Sequence, residues 1–527
     1  MKFPTTLKSR LLLLCKIFLI GLLLQFFLQT FITFKLGRDG TFRTAIWMWK
    51  EFILLLLLAA VGYVASSQLP KWWKERKAAI SRRTFVKQHT LLQFILLFLI
   101  SGVFFFLLAV VLQHVGLSPF ILSVKYDLLP FFIFGLGMCL GIVIFTEKDK
   151  ELFQLYKKLM VRCLWGGLFR RLIVYMTPNF LRHFGYNWEN FEGTIGAHPP
   201  AAYYTLVKPN LPGSYVRNQF LFERPISFGF WLIAFFPVFV LSWLRKKNLK
   251  NQIFYTIGFG LLVFSTRSRA GIAIFAVEVV ALLLLLHRKV LKKWLRGVIA
   301  LGVLSLGGIG YLGTSFFARE HSNTGHLVLL MEGWNIAKEH LLIGWGAGYS
   351  GPASHQLCYD APGNPRCETL QAVNEQHSIT TYGFNPENQY LQILMEYGSI
   401  GLLCWGAMLC WILRYTAKMV RTYRKKEKSA YQQFLRRSLI GFGIGLLGLC
   451  GEGLVLHSLV DRMIVYPFFL LYGLALGSWE RVKDEVFIPE ISEQKKKSAA
   501  KSGKKKAEKK GKSKSKKSSK RKKGKRK

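Results

Sequence analysis

Residues 384–401, FNPENQYLQILMEYGSIG, set a carboxylate, an amide and a phenol (Glu387, Asn388, Tyr390) at the threshold of a hydrophobic run. Asn385 is placed to cap a helix, Pro386 to open its first turn, and Glu387 to sit where the helix dipole favours a negative charge. Three more polar groups stand at similar thresholds: Arg217 and Arg224 in SYVRNQFLFERPISFGF, Arg267 and Arg269 in FSTRSRAGIA, and His326 in TGHLVLLMEGW. A guanidinium grips two phosphate oxygens at once and stays charged at any working pH, so such arginines suit a pyrophosphate. A carboxylate beside them can take the proton of an attacking hydroxyl. Together they describe transfer of a sugar from a lipid pyrophosphate to an acceptor hydroxyl. The arginines can stabilise the leaving charge, so no metal or other cofactor needs to be invoked.

Plainer readings stand beside these. Arg217 and Arg224 also suit solvated or snorkelling loop positions. His326 suits a structural hydrogen bond, and Glu387 a favourable first-turn charge. Arg269 is harder to dismiss, because its turn is too short to carry it far from hydrocarbon.

The elements that must position these groups are apolar. The chain has 527 residues, 51% of them hydrophobic and 15% aromatic, with net charge +45. Its mean hydropathy is +0.26. Runs about as long as the roughly 20 residues needed to cross a bilayer recur along it. They predict an all-α polytopic membrane protein of about 12 spans: 11–34, 44–65, 91–113, 128–146, 159–179, 226–244, 251–266, 270–287, 297–316, 389–413, 438–457 and 463–479. The first lacks a cleavage site and reads as a retained span. Arg170 and Arg171 interrupt the fifth, which is expected to cross with those arginines facing the bundle or a wet cavity. With that crossing, the basic loops 71–87, 245–250, 288–296 and 418–437 all fall on the inner side, as the positive-inside rule requires.

The same parity puts a large loop, 317–388, outside, before the tenth span. It holds three bases against seven acids. The expected organisation is nine helices over 1–316 with a second outer loop near 181–225, the loop 317–388, three helices over 389–480, and a tail over 481–527. Both termini are then cytoplasmic. Within the tail, 495–527 carries 20 Lys/Arg and one acid, a net +19 of the chain's +45. With no apolar residue larger than alanine it is expected to be disordered and drawn to anionic membrane lipid, nucleic acid being the weaker alternative. Cys358 and Cys367 share the large loop, and a disulfide there is left open. Gly344, Gly346, Gly348 and Gly351 read as a turn or a close-packing segment rather than a nucleotide loop.

TRSRAG, GWNIAKEHLLIGWGAG and ENQYLQILMEYGSIGL, in that order around the large loop, resemble the O-antigen ligase and polymerase family of bacterial membrane glycosyltransferases, over roughly 215–415. The resemblance implies an undecaprenyl-pyrophosphate glycan donor, a glycan, lipid or protein acceptor, inversion at the anomeric carbon, no metal or nucleotide, and the bacterial inner membrane. It also implies that Arg269, and less directly Arg217, hold the pyrophosphate. The family has a histidine where this chain has Glu387, so Glu387 is the expected base, with Arg224, Arg267, His326, Asn388 and Tyr390 around the substrate. A polymerase joining glycan to glycan is the nearest alternative. A flippase would place charges along a midplane path, whereas here they gather at one face; a scaffold gives no reason for arginines in the 266–270 turn.

Overall fold

The computed structural model describes residues 5–36, 48–78, 90–143, 151–176, 204–205, 215–216, 218, 220–222, 225–243, 249–286, 320–354, 385–422 and 429–482. Apart from an antiparallel pair of two-residue strands, Tyr204–Thr205 with Tyr215–Val216, these are helical or connect helices. In chain order the helices are α1 (Thr5–Leu36), α2 (Trp49–Ala78), α3 (Thr90–Phe106, continued by a π turn Leu107–Leu112), α4 (Leu117–Asp127), α5 (Leu129–Val143) and α6 (Glu151–Met176). There follow α7 (Pro225–Val238, continued by a π turn Phe239–Trp243), α8 (Leu249–Ser265), α9 (Arg269–Leu286), α10 (Glu320–Glu339), α11 (Gln389–Thr422) and α12 (Ala430–Glu452). The helix Arg462–Val482 is α13.

Six of these are long and apolar enough to cross a membrane, or seven if α4 and α5, bent by 55° at their junction, count as one broken span. Every expected run other than 297–316 falls on a described helix. That ninth run, Cys358, Cys367, the side chains of Arg170 and Arg171, and the tail beyond Val482 lie outside the described residues. Two helices stand where the hydropathy reading has connections. Helix α4 follows the third span, and α10 occupies the start of the large loop. Both are short of hydrophobic residues for a span but carry one apolar face.

Close backbone approach organises the bundle. A β-carbon on Gly137 would lie 2.4 Å from the Leu470 carbonyl, and one on Gly473 would lie 2.1 Å from that of Phe134. Gly141 and Gly477 repeat the relation one turn on, so two glycine pairs spaced by four face each other across α5 and α13. This is the small-residue packing expected where lipid provides no hydrophobic drive between helices. Gly441 and Gly445 bring α12 equally close to α7 at Val238 and Ala234. Aromatic side chains fill the space left between: Phe235, Phe442, Phe468 and Tyr472 form a contiguous cluster at centroid distances of 5.2–6.5 Å. The eighteen-residue core of α13 is wholly buried, whereas α9 turns most of its apolar surface outward.

The glycine string is the close-packing segment its composition indicates. Gly344, Gly346, Gly348 and Gly351 all have positive φ. Trp345 and Gly346 donate to the carbonyls of Met395 and Glu396 at 2.8 and 2.9 Å. Those carbonyls stand at a break in α11, where Gly398 adopts φ +66°. Gln113, at the end of the α3 π turn, caps the junction by donating to the carbonyls of Ile343, Gly344 and Glu396.

Candidate functional site

The turn Thr266–Arg267–Ser268 between α8 and α9 is held by its own hydroxyls. Thr266 Oγ1 donates to the Val263 carbonyl at 2.7 Å and accepts from Ser268 N at 3.3 Å. Ser268 Oγ then accepts from Gly271 N at 3.2 Å, which makes Ser268 the cap of α9 and Arg269 its first residue. Arg267 sits at φ +57°, a left-handed conformation that reverses the chain within one residue. Its guanidinium lies 5.1 Å from the centre of the Phe264 ring. A cation at a helix N-terminus opposes the helix dipole, so Arg269 is placed against electrostatic preference. Arginine and dipole together make that helix end attractive to an anion.

The other half comes from α10 and the start of α11. The chain enters α11 through Asn388, whose Oδ1 accepts from Leu391 N at 2.9 Å and whose Nδ2 donates to the Leu454 carbonyl at 2.8 Å. Asn388, not Asn385, is therefore the cap. Asn385 turns the chain earlier, accepting from Glu387 N at 3.2 Å. The helix begins at Gln389, so Pro386 and Glu387 precede it rather than form its first turn. The reason is local: Glu387 is held at φ +50°, which no helical turn tolerates. Such a conformation costs about 1–3 kcal/mol in a residue with a side chain. It persists because both flanking asparagines bind backbone.

Glu387 meets His326 across the gap: Oε2 lies 2.5 Å from Nδ1. Both side chains are about one-third exposed (34% and 31%). The hydrogen bond to Glu387 raises His326 above the ordinary imidazole value, against partial burial and the nearby positive charge of Arg269. Helix α10 reaches this position because Gly333, seven residues on and hence on the same face, lets it close onto α11. A β-carbon there would lie 2.6 Å from Leu391 and 3.1 Å from Pro386. Ile336, Ala337, Leu391 and Met395 complete that contact.

His326, Glu387 and Arg269 thus come together, with Arg267 in the same turn as Arg269. Tyr390 points its hydroxyl away, donating to the Cys450 carbonyl at 2.7 Å. Arg217 and Arg224 lie outside the described residues; Asn218 donates through its backbone N–H to the Ser265 carbonyl at 3.0 Å, which sets Asn218 beside the arginine turn. Two features escape a reading of the sequence. Gly333 carries no chemistry, though its seven-residue spacing from His326 is a usable signal. Glu452 is fully buried beneath the turn, where a β-carbon on Gly271 would meet its Oε1 at 3.2 Å. It lies at the end of an apolar helix whose partner the sequence does not name.

No curated protein matches the chain. Residues 254–406 match the family model described as O-antigen ligase. That stretch contains the arginine turn, His326, Glu387, Asn388 and Tyr390, and it stops short of the N-terminal helices and the tail. Over that stretch the chain is similar to the O-antigen ligase family, which fits glycan transfer at a membrane.

Proposed function

We propose that the protein transfers a glycan from a polyprenyl-pyrophosphate donor to an acceptor hydroxyl at the extracytoplasmic face of a bacterial inner membrane, as a ligase. The observation that carries this reading is the Glu387–His326 pair within electrostatic reach of Arg269. Glu387 occupies the base position of the family pattern, but its carboxylate is committed to Nδ1 of His326. The two act as one unit. Imidazole Nε2 takes the proton as the acceptor oxygen attacks the anomeric carbon, and Glu387 orients the ring and balances the imidazolium. The bond from that carbon to the pyrophosphate oxygen breaks, with inversion. Arg269 and Arg267 take up the charge left on the lipid pyrophosphate, with Arg217 and Arg224 supplied from the preceding loop. Asn388 holds the entry to α11 in register, and Tyr390 anchors α11 to α12.

The inside–outside charge pattern supports twelve spans with both termini cytoplasmic and the site on the outer face. The test is purified protein with a labelled polyprenyl-pyrophosphate oligosaccharide and an acceptor mixture, with and without EDTA. Label moving to an acceptor with release of lipid pyrophosphate, unaffected by EDTA, is expected. The product mass separates a ligase from a polymerase. Donor binding without turnover in any acceptor mixture would overturn the enzyme reading in favour of a transporter.

A further inference from the structure

The first stretch of α11, as far as Gly398, carries a polar stripe that the arginine turn does not use. Gln389, Gln392 and Glu396 recur at spacings of three and four, which sets them on one helix face. Ser123 and Asp127, four apart on α4, meet that face. Ser123 Oγ lies 2.8 Å from Asp127 Oδ2 and 2.6 Å from Glu396 Oε2, and the Tyr397 hydroxyl lies 2.7 Å from the same Oγ. Asp127 is 2% exposed; Ser123, Gln389, Gln392, Glu396 and Tyr397 are all 0% exposed. Two carboxyls thus share one serine hydrogen, and among the described residues neither meets a lysine, arginine or histidine. Buried carboxyls with no cation beside them are costly, so the pair requires a positive charge from outside the chain's own side chains.

Two further observations favour a metal ion over a proton. Both amide atoms of Gln389, and Oε1 of Gln392, have no hydrogen-bond partner among the described residues. Gln389 and Asp127 line one narrow gap, walled by Phe131 and Trp405. A proton held between the carboxyls would leave these amide oxygens bare, whereas a hard cation takes carboxylate and amide oxygens together. The helix ends add to the attraction. Helix α4 stops at Asp127, where the chain bends by 55° into α5, and the first stretch of α11 stops two residues past Glu396. Each helix C-terminus carries a negative partial charge, and the ends of broken helices are a known setting for sodium in membrane proteins. One positive charge suffices, because an N–H already meets one oxygen of each carboxyl: Gln392 Nε2 donates to Asp127 Oδ1 at 3.3 Å, and Ser350 N to Glu396 Oε1 at 3.4 Å.

We propose that Asp127, Glu396, Gln389 and Gln392 form a buried site for a monovalent metal cation, with sodium the ion tested, which ties α4 to the first stretch of α11. The site is separate from the arginine turn and does not rest on the transfer reaction.

The test is the melting temperature of the full-length protein in detergent, with sodium chloride or choline chloride at equal ionic strength so that general screening is the same. A ligand held only by the folded chain stabilises it, so sodium is expected to raise the melting temperature over choline by at least about 2 °C, saturably. Asp127→Asn and Glu396→Gln are each expected to abolish the difference between the salts. The Gln389 side chain has no hydrogen bond to lose, so Gln389→Ala serves where the carboxyl variants fail to fold. It is expected to raise the half-saturating sodium concentration about tenfold. Equal melting temperatures of the parent in the two salts, or the same half-saturating concentration in the parent and Gln389→Ala, would overturn the site. An equal rise with calcium at about 1 mM in choline would overturn the monovalent assignment.

Discussion

At the scale of single residues, the site turns on which member of the His326–Glu387 pair meets the acceptor. With the imidazole as base, His326→Ala is expected to lower kcat by roughly 10²–10⁴-fold, the usual worth of a general base. Glu387→Gln then costs less and leaves measurable transfer. Equal and complete loss in both variants would return the role of base to Glu387. The pH profile discriminates further. Glu387 raises the pKa of His326, and a base must be deprotonated to act, so the rate should rise with pH through that raised value. Removing the carboxylate leaves only the lowering effects of burial and Arg269, so the acidic limb of Glu387→Gln should move to lower pH. The stability contribution runs the other way. The ion pair is fully present below the ordinary imidazole pKa and is lost as pH rises through the raised one. Arg269→Lys keeps the charge but loses the two-pronged grip. It should raise the KM for donor several-fold while the protein still inserts, as measured with labelled donor.

At the scale of elements, the site is an intersection of three segments brought together by glycines. Gly333→Leu would drive a side chain into Leu391 and Pro386 and hold α10 off α11. Transfer should fall as far as in His326→Ala, while the melting temperature drops only modestly, because α10 contributes little to the main core. Gly473→Leu tests the opposite case. With a β-carbon 2.1 Å from the Phe134 carbonyl, α13 must move off α5. Overpacking of this kind costs about 1–3 kcal/mol or more, readable as a lower unfolding temperature in detergent. Much of this architecture was legible in one dimension. Apolar runs marked the helices, and the arginine turn and the Glu387 segment stood out by charge against hydrophobic background. The pairing of His326 with Glu387 did not, since 60 residues of loop separate them and nothing local encodes their meeting. The cap is Asn388 rather than the Asn385 that the local pattern indicates, for a related reason. Either asparagine satisfies the local rule, and only the contact with the Leu454 carbonyl, in the turn after α12, selects between them.

At the scale of the whole molecule, charge is divided by task. Residues 495–527 hold +19 with a single acid, whereas the site uses a few cations held by helices. Deleting 495–527 should leave transfer in detergent within about twofold, and should sharply reduce capture of the protein by anionic vesicles at low salt, where such attraction is strongest. Loss of transfer on deletion would instead favour a scaffold.

The burial of α13 has a consequence for how the protein is made. It emerges from the ribosome after every other described helix, yet its eighteen-residue core has no share of the lipid-facing surface. The earlier helices must therefore wait in the bilayer with a vacant slot between α5, α7 and α12. A chain stalled before residue 462 would expose glycine-lined grooves and the aromatic cluster to lipid, an unfinished surface that membrane quality control can recognise. Biogenesis of this protein is in that sense a single late event, and factors that shelter half-built bundles should matter more to it than to proteins whose helices pack in the order they are inserted.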